Sequence, residues 1–305
     1  MPAFHQALLV SNLTARTVSP RLKQVIVKAL SADLKLDVAD TESRGHATEL
    51  ARDAADRGFD LVICFGGDGT VNEVANGLIG AETALALLPG GMANVLCRVL
   101  GVPTDIVEAT GHLLNRIQSG ATTRIKAGRA DGRFFLTSCG IGIDAETVRR
   151  VEQNPAAKER FHEWYFLYSA LRIALGNYRR KEPYIRITGG DRSELVVLAL
   201  ITNYQQLTYW KGWAITIAPK ARLERGLDVL AMRRFPAKYI PPLFWTTFRG
   251  GSHVKWKHAA YWHDLSEVRL ESSGPPFPIQ VDGEFVGERK EIDVVFVPEA
   301  LSVLI

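Results

Sequence analysis

Hydrophobic positions in the first 120 residues switch repeatedly between two spacings. Gln6–Val10 is a short apolar run that stops at Ser11-Asn12 and predicts a strand. Arg21–Lys35 then places Leu22, Val25, Ile26, Ala29 and Leu30 at helical intervals. Asp37–Asp40 reads as a second short strand, and the Ala-rich His46–Arg57 as a helix stopped by Gly58. Leu61–Phe65 and Ala84–Leu88 predict strands; Val71–Leu78 and Asn94–Leu100 predict helices, the last closed by Gly101. Strand and helix alternating in this order predict an α/β layer on a parallel sheet.

Beyond residue 121 strand-like runs dominate. Thr123–Ala130, Arg133–Ser138, Tyr184–Thr188, Glu194–Thr202, Ala214–Ala218, Leu227–Arg233, Glu267–Glu271 and Pro278–Val281 all read as strands. Two helical stretches interrupt them, at about 144–178 and 237–250. This pattern predicts a mostly antiparallel β-sandwich. A length of 305 residues allows two domains. We place them at 1–121, an α/β domain, and 122–289, a β-sandwich.

Composition narrows the function. Lys and Arg number 37 against 33 Asp and Glu, an excess of +4 that is too small for a nucleic-acid coat. The longest apolar run, Leu195–Ile201, has seven residues, far below the roughly 18 needed to span a bilayer. The N-terminal residues lack a secretory pattern. Cys64, Cys97 and Cys139 are too scattered for a disulfide framework or a zinc site, so they read as reduced, packed thiols. The expectation is a cytoplasmic protein.

The most informative stretch is Leu61-Val62-Ile63-Cys64-Phe65-Gly66-Gly67-Asp68-Gly69-Thr70-Val71-Asn72-Glu73. An apolar strand runs into glycines and then a helix, whose N-terminal N–H groups favour an anion. Thr70 suits a helix cap or a phosphate contact. Asp68 would repel phosphates, and makes sense holding Mg²⁺ through water or orienting an attacking hydroxyl. A second turn, Pro89-Gly90-Gly91-Met92-Ala93-Asn94, follows the next strand. Loops at one edge of a parallel sheet converge, so the two turns predict one nucleotide site.

Gly66-Gly67-Asp68-Gly69-Thr70-Val71-Asn72-Glu73-Val74-Ala75-Asn76-Gly77-Leu78 resembles the signature of the diacylglycerol kinase catalytic domain, a lipid kinase family. Pro89–Asn94, Ser138-Cys139-Gly140-Ile141-Gly142-Ile143-Asp144-Ala145, Ile217–Ala221 with Gly226–Val229, and Asp282-Gly283-Glu284 resemble its later motifs. The resemblance implies an N-terminal domain like NAD kinase and phosphofructokinase, a sandwich that takes the lipid, and ATP in a cleft between them. It also implies that the C-terminal segment 290–305 returns to the first domain. By position, ATP contacts fall on Asn12, Thr41, Gly66, Gly67, Asp68, Gly69, Thr70, Val71, Asn72, Gly91, Met92 and Asn94. Mg²⁺ would arrive with the nucleotide. The proton acceptor falls on Glu284, with Asp68 as the other candidate.

Three departures stand out. Met92 and Val95 replace the usual Thr and Asp of the second loop, and Leu13 follows Asn12 where Pro is usual. Arg225 replaces the Asp that holds a structural Mg²⁺ in bacterial members; a guanidinium cannot ligate a cation, so no metal is expected there. Arg225 would instead pair with Glu224 or Asp228. Asp282-Gly283 between two apolar runs is also a strong hairpin signal.

From Val229 to His263 there is no acidic residue, yet six basic ones occur: Arg233, Arg234, Lys238, Arg249, Lys255 and Lys257. Tyr239, Phe244, Trp245, Phe248, Trp256, Tyr261 and Trp262 share that stretch. Phe161, Trp164, Tyr165, Phe166 and Tyr168 form a second cluster with Arg172, Arg179, Arg180 and Lys181. The pattern suits peripheral contact with an anionic membrane, although packing onto the sandwich explains many of these rings. The expected activity is ATP-dependent phosphorylation of a lipid alcohol, diacylglycerol or a relative. The alternatives are a catalytically silent nucleotide- and lipid-binding regulator, or a related kinase with a non-lipid acceptor. A homodimer is compatible with the sequence, and no nucleic-acid partner is expected.

Overall fold

The computed structural model describes residues 4–13, 15 and 18–305, with the side chains of residues 158, 162, 163, 177 and 244 outside the description, Phe244 among them. The chain divides into two compact units, Met1–Ala127 with Pro298–Ile305, and Gly128–Val297.

In the first unit β1 (Gln6–Ser11), α1 (Pro20–Leu30), β2 (Lys35–Asp40), α2 (His46–Asp56), β3 (Leu61–Gly66), α3 (Asp68–Leu78) and β4 (Ala84–Pro89) alternate as predicted. α4 (Val95–Val99) and α5 (Ile106–Ser119) follow. The strands lie in the order β2-β1-β3-β4, and each neighbouring pair is parallel. Leu9, Leu61, Ile63, Phe65 and Leu88 pack with Ile26 and Leu30 of α1 and Leu113 and Ile117 of α5. The intervening Val62 and Cys64 are equally buried. A parallel strand covered on both faces needs such an unbroken apolar run. α5 has no counterpart among the predicted elements. Asp105 caps it, accepting from Val107 N and Glu108 N, and Gly120 ends it in the left-handed region.

β5 (Thr122–Ala130) runs through the division between the units. The second unit then contains β6 (Arg133–Phe135), β7 (Ser138–Ile141), α6 (Ile143–Glu152), α7 (Pro155–Ile173), β8 (Ile185–Gly189), β9 (Arg192–Val196) and β10 (Leu198–Thr202). β11 (Gln206–Trp210), β12 (Trp213–Thr216), β13 (Leu227–Met232), α8 (Ile240–Phe248), β14 (Ala259–Leu265), β15 (Glu267–Ser272), β16 (Phe277–Val281) and β17 (Glu284–Arg289) complete it, with β18 (Glu291–Leu304) last. One sheet has the order β14-β13-β10-β7-β16-β17, and its pairs are antiparallel. β8 pairs antiparallel with β9 and β15, and β15 with the first half of β18. Ile141, Ile201, Val229 and Ile279 of the first sheet pack with Ile187, Val196, Leu270 and Val294 of the second. This is a β-sandwich core.

The stretch read as one strand, Glu194–Thr202, is two. Val197 turns the chain from one sheet to the other, donating to Met232 O at 2.9 Å. The helical stretch 144–178 likewise breaks at Asn154-Pro155, because Pro155 lacks the N–H that would continue α6. Late in β18, Val303 pairs in parallel with Leu85 of β4. Among the described residues no helix is long and apolar enough to cross a membrane.

Candidate active site

The two glycine turns of the first unit touch through their backbones. Gly90 N donates to Gly66 O at 2.8 Å. A Cβ on Gly90 would lie 2.8 Å from Gly66 Cα, and one on Gly91 would lie 2.8 Å from Gly67 Cα. Side chains cannot fit between them, so the glycines join the loops to each other. Asn94 sits in the left-handed region at φ 45° and clasps its own loop. Its Oδ1 accepts from Gly91 N and its Nδ2 donates to Gly91 O, both at 2.9 Å. Asp68 Oδ1 accepts from Val95 N at 2.6 Å, tying the start of α3 to the start of α4.

These loops follow β3 and β4, and two more predicted contacts follow β1 and β2. Asn12 N donates to Phe65 O at 3.1 Å, and Asn12 Nδ2 donates to Thr70 Oγ1 at 3.0 Å. Thr41 N donates to Ser11 O at 2.9 Å. Asn12, Thr41, Gly66, Gly67 and Gly91 therefore share the C-terminal edge of four adjacent parallel strands, where α/β ligands bind. The N-cap of α3 is Gly67, with no side-chain cap, so the N–H groups of its first turn face along the helix axis toward that edge. Met92 extends outward, 44% exposed. Val71 and Asn72 are buried, and Asn72 O accepts from Asn76 Nδ2. An uncapped helix start, an amide and a hydroxyl form a donor set that fits a chain of phosphates. The carboxylate that would oppose them, Asp68, has one oxygen held by Val95 N.

Several partners here were not legible as site residues. Ser11 Oγ donates to Asp40, and Lys23 Nζ lies 2.5 Å from the same carboxylate. Burial raises the Asp40 carboxyl, but the bonds from Lys23 and Ser11 outweigh it and leave it below the usual range. Glu73 caps α2, accepting from Gly45 N and Ala47 N at 2.9 and 3.2 Å, where Gly45 has no side chain to do so. A Cβ on Gly77 would meet Thr48 O at 2.5 Å. Glu73 and Gly77 thus hold α2 against α3.

In the second unit Asp282-Gly283 forms the tight turn of the β16–β17 hairpin, with both residues at positive φ, 46° and 82°. The Asp282 carboxylate accepts from Leu136 N, Thr137 N and Ser138 N at 2.7, 2.8 and 2.8 Å, and from Thr137 Oγ1 at 2.6 Å. Glu284 follows directly and forms an ion pair with Arg133 Nη2. Gln280 bridges to the loop: its Oε1 accepts from Gly283 N and its Nε2 donates to Asp144 Oδ2, at 2.7 and 2.6 Å. Burial pushes the Asp144 carboxyl up, partly offset by that amide. A Cβ on Gly140 would collide with Asp144 at 2.0 Å, which explains the glycine in Ser138–Ile141.

The Arg225 turn is built through backbone and acids. Arg225 N donates to Arg222 O at 3.3 Å, and Gly226 N donates to Asp264 Oδ1 at 2.8 Å. Gly226 is required because a Cβ would lie 2.4 Å from Leu265 O. Asp228 is buried and accepts the Tyr261 hydroxyl; burial first, then that bond, pushes the Tyr261 phenol up. No group of three or more His, Cys, Asp or Glu side chains is disposed for a metal among the described residues. Mg²⁺ bound through phosphates requires only one or two carboxylates, and Asp68 is the acid of the two glycine turns. Burial pushes the Cys64 and Cys139 thiols far up, and that of Cys97 to about 12.

Residues 6–130 match the diacylglycerol kinase catalytic domain, and residues 137–305 match the YegS C-terminal NAD kinase beta sandwich-like domain. A diacylglycerol kinase of Bacillus subtilis is 29% identical over 271 residues, covering 87% of this chain and 84% of that protein. A "Probable lipid kinase YegS-like" of Chromohalobacter salexigens is 30% identical over 223 residues, covering 71% and 68%. The fold is similar to a crystal structure of a diacylglycerol kinase from Bacillus anthracis, with a TM-score of 0.72 at 21% identity over 99% of this chain and 97% of that one. The chain belongs to the lipid kinase family of diacylglycerol kinase and YegS-like proteins.

Proposed function

We propose that the protein transfers the γ-phosphoryl group of ATP to the hydroxyl of a lipid alcohol, diacylglycerol or a close relative. The observation that carries this reading is the backbone junction of the two glycine loops beside an uncapped α3 start. ATP supplies the phosphoryl group when bound, with Mg²⁺ on its phosphates. Gly67, Gly69, Thr70 and Asn12 are assigned to hold the phosphates, and Thr41 and Gly91 to flank them. Phosphoryl transfer depends mostly on positioning and charge neutralisation, with one group to take the hydroxyl proton.

Glu284 is assigned as that proton acceptor. Its carboxylate is oriented by Arg133 at the end of a tight turn. Asp68 is assigned to organising the loops, because one of its oxygens already accepts from Val95 N. Purified protein incubated with labelled ATP and a panel of lipid alcohols tests the reading. Labelled lipid phosphate from at least one acceptor supports it. Measurable ATP binding without product from any acceptor favours a silent binder instead.

A further inference from the structure

Three exposed tryptophans from three different elements of the second unit gather around one aromatic cluster. Trp210 closes β11 and meets Trp164 of α7 edge-on, with ring centroids 5.7 Å apart. Its ring also lies 6.1 Å from that of Phe248 in α8. Around this centre Trp164, Trp213 and Trp245 are 57, 69 and 60% exposed. The hairpin between β11 and β12 turns through Lys211-Gly212, both at positive φ, 47° and 84°, so Lys211 and Trp213 stand at its tip. The α7 and α8 aromatics are separate groups in the sequence, and this hairpin belongs to neither. In the later group Trp262 is buried, Tyr261 bonds Asp228, and Trp256 stacks on Tyr239 at 4.5 Å, whereas Phe161, Phe166 and Tyr168 of α7 are exposed like Trp164.

Cations accompany the exposed rings. Lys211 Nζ lies 5.6 Å from the Trp210 ring, and the Arg249 guanidinium lies 4.8 Å from that of Trp245. The hairpin and α8 contain no acidic residue, and the α7 sequence balances its two acids, Glu159 and Glu163, with Lys158, Arg160 and Arg172. Indole rings prefer the boundary between headgroups and hydrocarbon, and cations prefer an anionic headgroup layer. A second copy is a poor occupant, because a two-fold contact would press this patch, with Lys211 and Arg249 and no acid on the hairpin or α8, against an equally cationic one. We infer that the Trp213-tipped hairpin, with Trp164 and Trp245, is a docking surface for an anionic lipid bilayer. The purpose of such docking rests on the lipid kinase reading, but the binding itself does not.

Sedimentation without ATP, using vesicles of phosphatidylcholine alone and of phosphatidylcholine mixed with phosphatidylglycerol, tests the inference. The wild-type chain should bind the mixed vesicles more tightly. Trp213→Ala should weaken binding by about tenfold, as expected for losing a buried aromatic contact. Lys211→Asn keeps a residue suited to positive φ and should cost about fivefold on the anionic vesicles only. Unchanged melting temperatures would show that both variants fold. Equal binding to both vesicle types, or wild-type binding by Trp213→Ala, would overturn the inference. So would a concentration-dependent dimer that Trp213→Ala dissolves. A kinase assay with a dispersed short-chain acceptor separates the two readings, since docking variants should keep that turnover. Vesicle binding without any turnover would leave docking standing and sink the kinase reading.

Discussion

The guanidinium of Arg133 pairs with the carboxylate of Glu284, and the two side chains are only 29 and 18% exposed. Arg133 lies in β6 and Glu284 at the start of β17, so the pair joins distant parts of the chain. If Glu284 accepts the lipid proton, Glu284→Gln should lower turnover by about 10²–10⁴-fold, the usual size of a lost general base. Nucleotide affinity, read by calorimetry, should stay near the wild-type value. Arg133→Gln should cost about tenfold to 10²-fold through misplacement of the carboxylate. Arg133→Lys should recover part of that loss.

The bond from Val95 N to Asp68 predicts a stability effect distinct from chemistry. Asp68→Ala leaves that N–H without its acceptor and should destabilise the fold by about 1–3 kcal/mol. Asp68→Asn retains an acceptor and should lose less than half as much. Chemical denaturation of the two variants checks this; equal losses would remove the latch from the account.

The contact between the glycine loops separates two otherwise similar substitutions. Gly90→Ala drives a Cβ to 2.8 Å from both Gly66 Cα and Val18 Cγ2, and should cost about 1–3 kcal/mol while weakening nucleotide binding. Gly111 is exposed within α5 and a Cβ there meets nothing within 4 Å. Gly111→Ala should therefore stabilise by about 0.5–1 kcal/mol, with nucleotide affinity unchanged. Thermal melts with and without ATP read both effects.

Buried His253 predicts a pH dependence. Its Nε2 lies 3.1 Å from Ile217 O, while Nδ1 is buried with no hydrogen-bond partner. Burial lowers its pKa, and the Ile217 carbonyl offsets this only in part. A folded value below the unfolded one, about 6.5, means that the stability from a neutral His253 is present above that pH. It is lost as the pH falls through the unfolded value toward the folded one. Melting temperatures should drop more between pH 7 and 5 for wild type than for His253→Gln.

The alternation of the first unit was readable because parallel strands buried on both faces leave unbroken apolar runs such as Leu61–Phe65. The glycine turns were equally clear, but their reason was not. Spacing alone cannot tell a glycine that admits a ligand from one that admits another loop, and Gly66 with Gly90 does the latter. Glu73 stood only as part of the glycine-rich stretch, and it caps a neighbouring helix. The break at Val197 was hidden because the apolar run Leu195–Ile201 crosses it without interruption and only the pairing partners change. The Arg133–Glu284 pair spans 151 positions, beyond the reach of any local pattern.

The most direct measurement is phosphate transfer from labelled ATP to lipid alcohols by the wild-type chain and by Glu284→Gln. The account predicts labelled lipid phosphate from at least one acceptor with the wild type, and near loss of it in the variant while ATP still binds. Absence of product from every acceptor, with ATP bound, would contradict the kinase reading. Full turnover by Glu284→Gln would contradict the assignment of the proton acceptor.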